Sequence, residues 1–229
     1  MYYPYGLEGL VYLLPAFALA IYAQFKVKST FSKYLKVPTQ KGVTGYETAR
    51  TILDHNGLSN VDVEIIPGNL SDHYDPMKRV VRLSDQVARG NSIASVSVAA
   101  HETGHAIQHS KNYVPLSIRS MIAPAASFSM KFVWVLVFAG IFLGMYGLIT
   151  IGIILYTVAI LFQIVTLPVE FNASSRALVQ LEDLGIVNTV ERDKSKRVLN
   201  AAALTYVAAA AVSLAQLMRL LILRNNRRG

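Results

Sequence analysis

FVWVLVFAGIFLGMYGLITIGIILYTVAILFQIVTL, residues 132–167, contains no charged side chain. As one straight helix it would cover roughly 50 Å at about 1.5 Å per residue, well beyond a hydrocarbon core of about 30 Å. Two short helices turning near Gly144 to Gly147 fit better, and a hairpin of that kind crosses a bilayer twice. Whatever follows Leu167 then returns to the face from which Phe132 departed. The fold reading rests on this return, because it brings the two halves of the polar sequence to one side.

Working outward, the run LEGLVYLLPAFALAIYAQF, residues 7–25, is also long enough to span. Its basic residues, Lys26, Lys28, Lys33 and Lys36, follow the apolar stretch, whereas a signal peptide carries them before it, so an uncleaved helix bent at Pro15 is expected. A third apolar segment, Val198–Leu223, is rich in alanine and interrupted by Arg219, a surface suited to helix packing. With 53% hydrophobic and only 16% charged residues, the 229-residue chain is too apolar for an ordinary water-soluble domain. Its length leaves room for one catalytic unit beside the spans. The formal charge of +8 fits cytoplasmic flanks better than nucleic-acid binding, which is set aside. Having no cysteine, the chain can hold a metal only through His, Asp or Glu.

Between the first span and the hairpin the polar patterns return. YETARTILDHNGL reads as an amphipathic helix ending at Gly57, VDVEIIPG and RVVRLSD as strands, and SDHYDP as a turn between them. Ser92 caps a helix through IASVSVAAHETGHAIQHS. The expected organisation is a first transmembrane helix at 1–25, a catalytic domain at 26–131 and a transmembrane hairpin at 132–167. A helix with a third ligand at 168–197, a C-terminal apolar helix at 198–223 and a basic tail at 224–229 complete it. The fold class is mainly α, a multi-pass membrane protein with a small α+β zincin-like catalytic domain.

The chemistry lies in His101-Glu102-Thr103-Gly104-His105, an HExxH motif. Positions four apart on a helix share a face, about 6 Å apart along the axis, so both imidazoles reach one ion. Glu102 points beside the ion, where it can take a proton from water. Two histidines are too few ligands. His109 is eight residues from His101, about 12 Å along the axis, and too distant for bonds near 2 Å. Glu170, in VEFNASSRA just past the hairpin, is the better third ligand, since an acid emerging from a membrane run needs a partner. Glu182, Asp183 and Glu191 stay open as alternatives, as does a plain interfacial pair of Glu170 with Arg176.

HETGHAIQH, the hairpin, VEFNASSRA, SDHYDP and RLSD together resemble the bacterial membrane neutral zinc metallopeptidases, themselves similar to the broader gluzincins. The likeness covers nearly the whole chain. It implies His101, His105 and Glu170 as Zn2+ ligands, Glu102 as general base, and a protein or peptide substrate. The broader group often shows an aspartate four residues after its ligand glutamate, where this chain has Ser174. Asn172, Ser175 and Asn200 are substitutes for orienting a ligand imidazole, and Arg176, Tyr206 and His73 are candidate donors to an oxyanion. RVVRLSD either offers an edge to an extended peptide or completes the sheet. The rival reading is a non-catalytic membrane protein with a structural or vestigial zinc site, but three ligands rather than four leave a position open for water. Basic residues at Lys26–Lys41, Arg119, Lys131 and Arg192–Arg197 place the catalytic face in the cytoplasm, at the cell membrane. The tail RNNRRG leaves open whether the last helix crosses fully.

Overall fold

The computed structural model describes residues 8–226. Leu7, which begins the first apolar run, and residues 227–229 of the basic tail lie outside the described residues. The chain divides into two compact units, one built from residues 1–24, 117–167 and 205–229, the other from 25–116 and 168–204.

The first unit is helical. It takes the start of α1 (Glu8–Leu35), most of α5 (Val114–Phe142), the larger part of α6 (Tyr146–Asp183) and the end of α7 (Thr189–Asn226). Each of the four is long and apolar enough to cross a membrane. The expected turn lies between Phe142 and Tyr146, where Gly144 has φ +66°, a left-handed conformation that a side chain would strain. Val133 and Val137 of α5 pack with Ile149, Ile153, Tyr156 and Ile160 of α6. The large apolar residues left exposed, among them Phe138, Phe142, Ile154 and Leu161, suit a lipid surround.

In the second unit, α2 (Gly45–His55) starts with a capping box, Thr44 accepting from Glu47 N while Glu47 accepts from Thr44 N. A three-stranded sheet follows, with β1 (Asp62–Ile66) parallel to β3 (Val80–Ser84) and β2 (His73–Asp75) antiparallel to β3 on its other side. Both expected strands are present. SDHYDP differs: its centre is the strand β2, because His73–Asp75 find partners in Val80–Arg82. The central position of β3 also means that RVVRLSD completes the sheet and offers no edge. A short helix, α3 (Asp85–Arg89), leads to α4 (Ile93–Ser110), whose Ser92 cap accepts from Ser95 N.

Three helices run further than their local signals indicate. The helix of the first span continues to Leu35, the last helix begins at Thr189, and α6 passes through Pro168 unbroken. Proline removes one backbone bond and favours a break. Here Val169, Ala173, Ala177 and Leu181, spaced four apart and all buried, form a stripe that keeps α6 in line past it. Ala177 and Leu181 join Val96, Ala100 and Ile107 of α4 in one core cluster.

Gly104 makes that packing close. A Cβ on it would lie 2.6 Å from the Ala173 carbonyl oxygen. In a free helix Gly→Ala stabilises by about 0.5–1 kcal/mol. We predict the opposite sign here: Gly104→Ala destabilises the protein by about 1–3 kcal/mol through overpacking, read as a lowered midpoint of thermal unfolding in detergent.

Candidate metal centre

The second unit brings together three of the residues named by the sequence. His101 and His105 lie one turn apart on α4, their rings edge to face at 4.8 Å between centroids. Glu170, on the buried stripe of α6, approaches both: its Oε2 is 3.2 Å from His101 Nε2 and 3.6 Å from His105 Nε2. The ligating atoms of all three lie within 4.8 Å of one another. A zinc ion with bonds of about 2.0–2.1 Å holds tetrahedral donors about 3.3 Å apart, so the two observed edges match such an ion. Two imidazoles and a carboxylate are a donor set that zinc accepts, and among the described residues the cluster has three members, leaving one coordination position open.

Electrostatics favour a cation at the same point. Glu170 is 2% exposed and Glu102 9%, and a buried carboxylate is costly without a counter-charge. His105 can supply it by taking a proton. Burial alone would depress its basicity, but the hydrogen bond to Glu170, the charges of Glu102 and Glu170, and Gln108 together hold its imidazole above the ordinary value. A proton on His105 and a divalent ion at the same point would answer the same pair of carboxylates.

The orientation of each imidazole is set from behind. Gln108 Nε2 donates to the Val169 carbonyl at 2.8 Å and to Asn172 Oδ1 at 3.0 Å, which turns its Oε1 toward His105 Nδ1, 3.0 Å away. Because that oxygen only accepts, His105 Nδ1 must carry a hydrogen, and Nε2 faces Glu170. Asn172 Oδ1 also accepts from Arg176 Nε at 2.7 Å. His101 Nδ1 pairs with Ser174 Oγ at 3.2 Å. Glu102 is positioned from the sheet, its Oε2 accepting from the Tyr74 backbone N–H of β2 at 3.1 Å. The Tyr74 hydroxyl pairs with His109 Nδ1 at 2.8 Å.

With this geometry in place, two comparisons bear on identity. The family described as "Putative neutral zinc metallopeptidase" matches residues 9–225. The chain belongs to that family. It is 51% identical over 215 residues to "Putative membrane protease YugP" of Bacillus subtilis (strain 168), a match covering 94% of this chain and 96% of that protein. No solved structure matches. The zinc in the family's description agrees with the donor set on α4 and α6, and the relative's description agrees with the four apolar helices.

The remaining sequence candidates fall elsewhere. His109 is engaged with Tyr74, Glu182 pairs with Arg192 at 2.6 Å, and Asp183 is exposed. Glu191 accepts from the backbone of Gln40 and Asn188. Arg176 bonds Asn172 rather than Glu170, and His73 is tied to the Ser71 carbonyl and Arg82. Tyr206 lies on α7, in the first unit. Of the proposed stand-ins for the missing aspartate, Ser175 bonds the Phe171 carbonyl and Asn172 serves the Gln108 chain, whereas Ser174 itself reaches His101. Sequence reasoning missed Gln108. Its signal was position: three residues after His105 on the same helix, it is within reach of that ring.

Two measurements test this arrangement. Gln108→Leu keeps the first set of donors but frees His105 Nδ1, and zinc affinity should fall about 10–100-fold in a competition titration with a chelator. Metal must also displace the His105 proton. Since that imidazole is held above the ordinary value of about 6.5, retention of zinc should decline as pH falls, starting above that value, with proton release on binding detectable in weakly buffered solution. In the metal-free protein the sign reverses: the raised His105 contributes stability at low pH that is lost as pH rises through its folded-state value.

Proposed function

We propose that the protein is a membrane-embedded zinc endopeptidase in which His101, His105 and Glu170 hold the metal and Glu102 is the general base. The observation that carries this reading is the three-donor cluster with edges of 3.2 and 3.6 Å, next to a separate carboxylate that is not one of the donors. When bound, zinc supplies Lewis acidity, acidifying water in its open position and polarising a peptide carbonyl.

The chain's own residues do the rest. Glu102 is fixed by the Tyr74 N–H through Oε2, which leaves its other oxygen available to accept a proton from the attacking water and return it to the departing amine. Gln108 and Ser174 hold the two imidazoles with Nε2 forward, and the burial of Glu170 excludes competing water from the third donor. Peptide-bond cleavage is the activity best supported, because one vacant position beside a general base is what hydrolysis requires and a structural site lacks. The membrane face carrying the site is assigned to the cytoplasm by the lysines that follow α1's apolar part and the Arg192–Arg197 segment.

Purified protein and a mixed peptide substrate test the reading. Glu102→Gln should retain a full equivalent of zinc by elemental analysis and lose cleavage by about 10²–10⁴-fold. His101→Ala should lose the metal itself. Undiminished cleavage by Glu102→Gln would remove the base from the mechanism.

A further inference from the structure

Away from the metal cluster, the second unit contains a groove of about 530 Å³ between α1 and α7. Lys26, Ser29 and Lys33 line it from α1, at the spacing of one helical face, and Arg197 and Asn200 line it from α7. Buried Tyr34 closes it below, with the Lys33 ammonium 5.5 Å from the centre of its ring. Three cations thus share the groove with the Asn200 amide, and no acidic side chain lines it. None of the three forms an ion pair among the described residues.

The position of the groove along both helices is informative. On α1, Lys26 is the first charge after the uncharged run 11–25. On α7, Arg197 is the last charge before the uncharged run 198–218. Both helices therefore change from apolar to charged at the groove, the depth at which a bilayer presents its phosphates.

We propose that this groove binds the phosphate of an anionic phospholipid. Lys26, Lys33 and Arg197 supply the counter-charge, and Asn200 supplies a neutral donor. The site is independent of the zinc cluster, and its test does not read peptidase activity.

Native mass spectrometry of the full-length protein in detergent, titrated with phosphatidylglycerol or phosphatidylcholine, decides the matter. The wild type should retain phosphatidylglycerol in preference to phosphatidylcholine, and Lys26→Gln/Lys33→Gln/Arg197→Gln should weaken that binding about tenfold or more. The control is Lys28→Gln/Lys36→Gln/Lys196→Gln, which removes one charge from α1, one from the residue just after it and one from α7, at positions that do not line the groove; it should stay within about twofold of wild type. If the triple groove variant does not fold, Arg197→Gln alone should weaken binding about threefold. Equal losses in both triple variants would mean diffuse attraction and overturn the proposal, as would absence of lipid preference. Inorganic phosphate competing as well as soluble short-chain phosphatidylglycerol would also overturn it, making the groove a site for free phosphate.

Discussion

One carboxylate governs the arrangement of the second unit. Glu170 is buried against two imidazoles, and an ionised group there is sustained only by a positive charge within a few ångströms. Everything that brings α6 against α4 serves this placement: the buried stripe from Val169 to Leu181, and the bare Cα of Gly104 facing Ala173. Were the helices one methyl group further apart, the Glu170 edges would no longer match a tetrahedral ion. Gly104 thus links a packing constraint to the metal chemistry, although it is only a spacer position in HExxH.

The parts of the site that were legible in the sequence follow from periodicity. His101 and His105 share a face because four residues nearly complete a turn, and Glu170 stood out because an acid directly after a long uncharged run demands a partner. Strands β1 and β3 were readable from their β-branched content, and the turn at Gly144 from the excess length of the apolar run. Features set by the distance between elements were not legible. Ser174 stands where the broader group often has an aspartate, and it reaches His101 because α4 and α6 lie so close. The continuity of α6 through Pro168 was equally hidden, since local preference says stop and only the buried stripe says continue. Tyr74 gave no signal at all, as its contribution to Glu102 is a backbone N–H available to any residue but proline.

Substituting a serine for the aspartate has an electrostatic consequence. A carboxylate behind a ligand imidazole strengthens it as a donor, whereas a hydroxyl orients the ring without adding charge. Both histidines of the cluster are backed by neutral groups, Ser174 for His101 and Gln108 for His105. The negative charge of the centre is therefore concentrated in Glu170 and Glu102 and is not spread into the surrounding shell. A divalent ion held by such a set would keep more of its own charge and would acidify a bound water more strongly.

That concentration also gives β2 a specific role. Glu102 lies beside the cluster that holds Glu170, and the strand β2 fixes where its carboxylate points. The Tyr74 N–H donates to Glu102 Oε2, and Tyr74 is kept in place by β3 on one side and by its hydroxyl contact with His109 on the other. His109 is thus connected to Glu102 through Tyr74 and is not a member of the cluster. Its distance along α4, which sets it apart from His101 and His105, is what allows it to reach the strand that holds Glu102.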